Sequence, residues 1–586
     1  MQVSPRIIFL ILVGVNLLAL TFTGYNWNHS NLQAHTRMMT VVDNEPEIPH
    51  DRFINPEIAY EILSLLDVFS VYEDPNRSEA DNEVKYGKPY LGLRTDDNYC
   101  DKHRAHFVYY PETAYKSKNI MSNFKAMAIF RLQMIRKMGG VDVMPHIHSG
   151  MPDELQNQGL YDLREDVNMF FTATSMYTHR QIGKHFSCLT QASNHIPGHN
   201  SLYRKDQAGR SVVEYSKKYV DRPQCFNEHK FFPKTWILNE VDQCKAFFEI
   251  FNSKQYQKLK KERGLVYIRK IGANAHQGSG VFPVNTEEEQ SIREKYANGA
   301  LCGQVKKNNL IQYAVWNPLL INGRKFDFRM FMLVASSNPL ITYYHDGFLR
   351  ISLRDYDPDS KEPGAILTNI ALSKPFFDEA TKNGTYNGFT KDELMGQVFW
   401  MMPQLADYLL KTGKVTDPNW LDNYLRPEFK KAMVHLMRMA QHTFAPQSSL
   451  FEIYGLDFML DDNLNLWFIE ANIQPLLDGW SPESSKFFNQ IIYDSFDIAH
   501  ALLKSRVKRI VKYVNKLIKE TQDWGISWDS MHIDDLKTRR KEFQIISRNY
   551  FEPEFMPAPT NEFQMIIDDN LHGEDRYFGL LEEECF

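Results

Sequence analysis

The chain has 586 residues, 43% apolar and 24% charged, with a formal net charge of -6. This is an ordinary globular composition, enough for roughly two to four structural units or one multi-lobed enzyme. The charge singles out no partner, and no basic excess, zinc-finger spacing or helicase-like spacing points to nucleic acid. The six cysteines, Cys100, Cys188, Cys225, Cys244, Cys302 and Cys585, form no CxxC pair, which argues against a zinc site. Their even number leaves free thiols and disulfide bridges both open.

In chain order, Ile7 to Phe22 is apolar behind Arg6, broken only by Asn16 and Thr21. A basic start and an apolar core describe a signal peptide or a short signal anchor over residues 1–24. No small-x-small cleavage motif follows, so a single-pass membrane anchor through residues 7–24 is expected, with Tyr25 and Trp27 at the interface. Arg6 before the stretch and His29 and Arg37 after it give a slight bias toward an outward-facing catalytic domain. The sequons Asn28-His-Ser, Asn76-Arg-Ser and Asn383-Gly-Thr leave a lumenal location open. Residues 25–110 read as a stem with a helical patch at Ile58–Phe69, and apolar recurrence predicts a further helix within Met121–Met138.

Strands are expected at Leu265–Ile268, Phe328–Val334, Ile341–His345 and Phe348–Leu353. Helices are expected at Leu394–Leu410 and Phe429–Gln441, and a strand pair fills Ile453–Ala471. Strand runs mixed with helical blocks indicate α+β or α/β layers, not a helical bundle. Ser484 to Glu520 carries a long apolar stripe with Lys504, Arg506, Lys508, Arg509, Lys512, Lys516 and Lys519 crowded beside it. That is either the solvated surface of a packed helix or a cationic face for an acidic partner. From Thr521 onward, prolines, aromatics and acids suggest a peripheral wrap and a loose acidic tail.

Three segments carry chemistry. The first, Tyr454-Gly-Leu-Asp457 through Glu470-Ala-Asn472, reads as a hairpin turning around Asp461 to Asn463. An even-length turn puts Asp457 and Glu470 on one face, and an odd one without a bulge puts them on opposite faces. On one face, Asp457, Glu470 and Asn472 would be hard oxygen ligands suited to Mg²⁺; the alternative is a buried salt bridge. In the second, Lys270 closes a strand before Gln277-Gly278-Ser279-Gly280, whose backbone could approach a phosphate or could merely be a flexible loop. In the third, Lys325, Asp327 and Arg329 alternate with Phe326, Phe328 and Met330. An exposed strand edge has that pattern, and so has a site for anions, where arginine offers a bidentate fork. Arg350, in Gly347-Phe-Leu-Arg, adds a cation nearby.

The ordered set is more specific than any member. Gln191-Ala-Ser-Asn-His195-Ile-Pro-Gly, Leu202-Tyr-Arg-Lys205-Asp and Phe231-Phe-Pro-Lys-Thr-Trp resemble the entry to the tubulin–tyrosine-ligase-like domain. The lysine strand, Pro318-Leu-Leu-Ile-Asn-Gly-Arg-Lys-Phe-Asp-Phe-Arg, Gly347-Phe-Leu-Arg, Leu367-Thr-Asn369 and the hairpin follow in the family's order, over about residues 189 to 480. The resemblance implies an ATP-grasp fold, with nucleotide between two antiparallel β lobes. The implied layout is an N-terminal lobe at 111–240, a central lobe at 241–360 and a C-terminal lobe at 361–480, with a basic helical extension and acidic tail at 481–586. It implies an ATP- and Mg²⁺-dependent ligase acting through an acylphosphate. Lys270 and the Gln277–Gly280 loop would hold phosphate, Gln312 would lie near adenine, and Lys325 and Asp327 would line the nucleotide. Thr368 and Asn369 would face nucleotide and amino acid, and Arg329 and Arg350 would bind anionic substrate groups. Asp457, Glu470 and Asn472 would hold Mg²⁺, with Glu470 essential to the first step.

By the same resemblance the expected acceptor is tubulin or microtubules and the added amino acid glutamate, with glycine or tyrosine open. A tubulin substrate would put the catalytic domain in the cytosol, at microtubules or cilia. The alternatives are the same chemistry on a lumenal or cell-surface protein, and an inactive membrane-anchored binding protein. Four departures bear on nucleotide affinity and substrate choice: Ile271 replaces the family's proline, Ser279 a common basic residue and Ile366 a histidine, and Glu470-Ala-Asn472 stands for Glu-Val-Asn.

Overall fold

The computed structural model describes residues 192–226, 231–271, 280–305, 309–524 and 545–582, with short breaks at 359, 361, 370–371, 446, 474, 476 and 478–480. Outside these it describes 54–55, 59, 109–111, 169–171, 542 and 585. All fall within one compact unit, residues 50–586. The apolar stretch 7–22, the helix expected at 121–138, and all but Ala59 of the 58–69 patch lie outside the described residues. Among the described residues no helix is long and apolar enough to cross a membrane.

Two sheets and their helices make an α+β architecture. The smaller sheet is antiparallel: β4 (Thr235–Ile237), β7 (Asn309–Tyr313), β5 (Tyr267–Ile271) and β6 (Val281–Pro283), in that spatial order. It packs against α3 (Val241–Phe251), α4 (Lys254–Arg263) and α5 (Thr286–Lys295). Phe247, Phe248 and Phe251 place three rings on one side of α3, where they meet Trp236, Tyr256 and Tyr267.

The larger sheet has ten strands. β1 (Tyr109–Pro111), β2 (Met169–Phe171) and β3 (Ala192–Asn194) run parallel to each other and to β12 (Leu450–Leu460). The rest is antiparallel: β12 pairs β9 (Arg324–Ser337) and β13 (Leu466–Asn472), and β9 pairs β10 (Leu340–Asp355) and β8 (Leu320–Ile321). The large sheet thus has an antiparallel body, as the resemblance implies, and a parallel edge made by β1, β2 and β3.

Strand alternation assigns the faces. Phe326, Phe328, Met330, Met332 and Val334 of β9 point to one core with α8 (Met402–Lys411) and α9 (Arg426–Ala440). Phe331, Leu333 and Ala335 point the other way, onto α10 (Pro482–Trp524). Lys325, Asp327 and Arg329 share that second face on the stretch preceding the apolar residues.

Some expected elements differ. The segments 341–345 and 348–353 are one strand, β10, with a bulge where Asp346 and Gly347 oppose a single β9 residue. A Cβ on Gly347 would lie 1.8 Å from the Arg329 carbonyl, so only glycine fits there. The helix expected at 394–410 is two, α7 (Lys391–Val398) and α8, separated by β11 (Phe399–Met401), which pairs with β10. The tail is less loose than its composition suggests: β14 (Gln564–Asp568) pairs with β10, and Arg438 of α9 forms a two-pronged ion pair with Asp569. The cationic face of α10 is largely occupied: Arg506 is buried against Asn549, Arg509 against Glu552, and Lys508 pairs with Glu554. Lys512 and Lys516 stay exposed.

Four of the six cysteines are bridged, Cys225 to Cys585 and Cys244 to Cys302. Cys100 and Cys188 lie outside the described residues.

Candidate active site

The hairpin turn, Asp461 to Asn465, is odd in length, since Leu460 pairs with Leu466. Alternation alone would then separate the two acids. A bulge between the Phe458–Phe468 and Asp457–Glu470 pairs restores a shared face, with Ile469 as the extra residue. The β10 bulge does the same for Arg350. It shifts the strand by one residue, so Phe348 and Arg350 join the face of Lys325, Asp327 and Arg329. One row then runs straight across the sheet, Phe348, Arg329, Asp457 and Glu470, with Arg350 opposite Asp327 beside it.

Contacts within the row are dense. Arg329 donates to both oxygens of Asp457 at 2.6 and 3.1 Å. Arg350 donates to both oxygens of Asp327 at 2.7 and 2.6 Å and reaches Asp457 at 2.9 Å. The Thr368 hydroxyl donates to Asp327 at 2.6 Å, and the Asn472 amide to Asp457 at 3.4 Å. Burial pushes the Asp457 carboxyl up, but Arg329 and Arg350 together hold it below the usual carboxylate range. Burial opposes the charge on Arg350, and Asp327 and Asp457 outweigh it, raising its pKa. The arginines that the resemblance assigns to substrate thus rest on the acids assigned to nucleotide and metal.

Two lysines converge on Glu470 and its neighbour. Lys270, from the smaller sheet, donates to the carbonyl of the bulged Ile469 at 3.2 Å. Lys205, at the start of α2 (Lys205–Lys217), which follows the short α1 (Asn200–Tyr203), pairs with Glu470 at 3.1 Å. Burial lowers the Lys270 ammonium to about 8, against the pull of Glu470. Lys325 is also lowered to about 8 by burial, with Asp327 opposing, and it donates to the Ile366 carbonyl at 2.8 Å. The Ile366 departure therefore meets Lys325 through backbone, not side chain. Thr368 and Asn369 line a small recess with Ser352, Arg354 and Phe376. Gln312 is held apart on β7, donating to Thr235 at 3.0 Å. Gly280 closes its loop with a positive φ of 79° and accepts a hydrogen bond from Ile271, while Gln277, Gly278 and Ser279 lie outside the described residues.

The donor chemistry fits a hard divalent cation. Glu470 and Asn472 offer oxygens on one strand, and the Glu470 side chain keeps 30% of its surface accessible. Asp457 already accepts four hydrogen bonds, about as many as a carboxylate has lone-pair sites, so it joins a metal only by giving one up.

A family model described as "Tubulin-tyrosine ligase family" matches residues 183–509. The chain belongs to the tubulin-tyrosine ligase family. Similar proteins include "Protein polyglycylase TTLL10" of Macaca fascicularis, 26% identical over 47% of this chain and 43% of the relative. "Inactive polyglycylase TTLL10" of Homo sapiens is 25% identical over 49% and 42%. "Tubulin polyglutamylase TTLL5" of Mus musculus is 27% identical over 54% and 22%. The chain thus spans less than half the length of each of these curated relatives.

Two features of this tubulin-tyrosine ligase domain escaped the sequence. Lys205 was visible only as part of a motif, without a role. Glu452 is buried on β12, where His195 approaches it at 3.0 Å and the Ile196 N–H donates to it at 3.1 Å. Burial raises the Glu452 carboxyl, with His195 opposing. The Glu452 contacts fasten the loop before Lys205 to the strand that carries Asp457. The sequence signal for Glu452 is the one that marks Asp457 five residues later, an acid inside an apolar strand.

Proposed function

We propose that this chain is an ATP-dependent ligase of the ATP-grasp type that joins an amino acid, glutamate, to a carboxylate of an acceptor protein. The observation that carries the reading is the row at the junction of the two sheets, where Lys270 and Lys205 flank Glu470 and Asp457 lies between two arginines. It offers cations for phosphate, oxygens for a metal and guanidinium forks for carboxylate, with no Ser–His or Cys–His pair required.

In this mechanism ATP is a substrate. The acceptor carboxylate attacks the γ-phosphorus and ADP leaves, giving an acylphosphate. The amino group then attacks the acyl carbon, phosphate departs, and the amide forms as the nitrogen loses its proton. Lys270 holds phosphate, and Arg329 and Arg350 orient the reacting carboxylates, exchanging part of their hold on Asp457 and Asp327 for substrate. Glu470, Asn472 and Asp457 would hold Mg²⁺, which supplies charge neutralisation at the phosphates. The chain's contribution is positioning and electrostatic stabilisation.

The names of the relatives support tubulin as acceptor. The two disulfides favour a second reading, the same chemistry on a lumenal or cell-surface protein. Mass spectrometry tests both. Tubulin and a panel of secreted acidic proteins are each incubated with the protein, Mg-ATP and mixed amino acids, with Glu470→Gln in parallel. A glutamate increment made only by the unmutated chain supports the ligase and names its acceptor. No increment on any acceptor, from folded protein that turns over no ATP, favours an inactive binding protein instead.

A further inference from the structure

We propose that the catalytic domain matures in an oxidising, glycosylating lumen and carries an N-linked glycan on Asn383. The topology stands on observations independent of the active site. Its consequence for the acceptor, a lumenal or secreted acidic protein in place of cytosolic tubulin, rests on the ligase reading above.

The cystines come first. Cys225 and Cys585 are 360 residues apart in sequence with Cα atoms at 5.2 Å, and Cys244 and Cys302 are 58 apart with Cα atoms at 5.7 Å. Both separations lie within the range a disulfide spans. Cys244 is fully buried, and Cys225 and Cys585 nearly so. Among the described residues no cysteine is left free. Cytosolic thiols are kept reduced, and structural cystines of this kind belong to proteins that fold in oxidising compartments. Each bridge forms when two thiols pass two electrons and two protons to a disulfide donor by thiol–disulfide exchange. The bridges tie down separate parts. Cys244–Cys302 closes the helical layer of the smaller sheet, and Cys225–Cys585 fastens the C-terminal strap to the segment after α2.

Asn383 is an independent observation. It ends α6 (Lys374–Asn383), and Gly384, with a φ of 82°, turns the chain out of the helix. Asn383, Gly384 and Thr385 are all exposed, and nothing lies within 4 Å of where a Cβ on Gly384 would stand. An Asn-x-Thr acceptor on an open turn is accessible to a glycosyltransferase. The transfer forms a bond from the Asn383 side-chain nitrogen to the first sugar of a lipid diphosphate-linked oligosaccharide, releasing the lipid diphosphate and a proton. Asn383 stands about two helical turns from the recess. Phe376, which lines the recess with Thr368 and Asn369, lies seven residues back along α6, about 10 Å by the helical rise.

Peptide mapping of the full chain from animal cells, alkylated with N-ethylmaleimide before lysis and digested without reduction, tests the proposal. The expected result is a Cys225 peptide linked to Cys585, a Cys244 peptide linked to Cys302, and an Asn383 peptide seen only after glycosidase release, its asparagine converted to aspartate. Asn383→Gln and Thr385→Ala should each remove one glycan step in mobility. Four alkylated cysteines would overturn the topology. Bridged cysteines with an unmodified Asn383 would overturn the glycan assignment. No readout depends on ligation, so failure here leaves the ligase reading standing, and failure to ligate leaves the topology standing.

Discussion

The two halves of one face of β9 have opposite characters. At residues 331–335 the outward positions are Phe331, Leu333 and Ala335, and α10 covers them. At 325–329 they are Lys325, Asp327 and Arg329, with Arg350, Asp457 and Glu470 alongside from neighbouring strands. The backbone is the same continuous strand throughout. The difference lies in what covers it, and charged side chains persist where their partners are other charged side chains and, on the reading above, substrate.

The contrast can be broken from either end. Glu470→Gln should lower ligation at least about 100-fold, the scale for losing a group that acts on transition-state charge. The melting temperature should move by no more than about 2 °C, since its partner Lys205 forms only a partly exposed pair. Asp457→Asn should cost about 3–5 kcal/mol of stability in denaturant titration, because it leaves two mostly buried guanidinium groups without their shared acid. Phe331→Ala in the covered half should cost a similar 3–5 kcal/mol through cavity formation. It should leave KM for ATP unchanged, which separates packing from chemistry. The double change Cys244→Ser with Cys302→Ser should cost about 2–4 kcal/mol in the smaller sheet's unit, read by thermal unfolding.

The smallest effect is on pH dependence. Burial lowers Lys270 and Lys325 to about 8, whereas an unfolded lysine stays near about 10.4. Between those values the unfolded chain binds more protons, so the contribution of these groups to stability rises with pH. Phosphate binding should follow the opposite sign. kcat/KM for ATP should fall severalfold above about pH 8 as Lys270 loses its charge, and Lys270→Arg should flatten that limb.

Much of this face was legible in the sequence. The alternation of Lys325, Asp327 and Arg329 with apolar neighbours fixed which residues share it, and Thr368 and Lys270 fall beside it as the motif order implies. Two features were hidden. The alignment of Glu470 and Arg350 depends on bulges, and a one-residue bulge changes no residue type that periodicity could register. The cations of α10 looked unbalanced because Glu552 and Glu554 lie more than forty residues further along the chain. Pairing at that separation is a property of the fold, and the same holds for Cys225 and Cys585.

The central claim is that the polar half of this face binds Mg-nucleotide. Calorimetric titration with a non-hydrolysable ATP analogue, with and without Mg²⁺, tests it without requiring a known acceptor. The account predicts Mg²⁺-dependent binding that Lys270→Ala weakens at least tenfold and whose Mg²⁺ dependence Glu470→Gln removes. Binding that neither substitution alters, or no binding by folded protein, would contradict it.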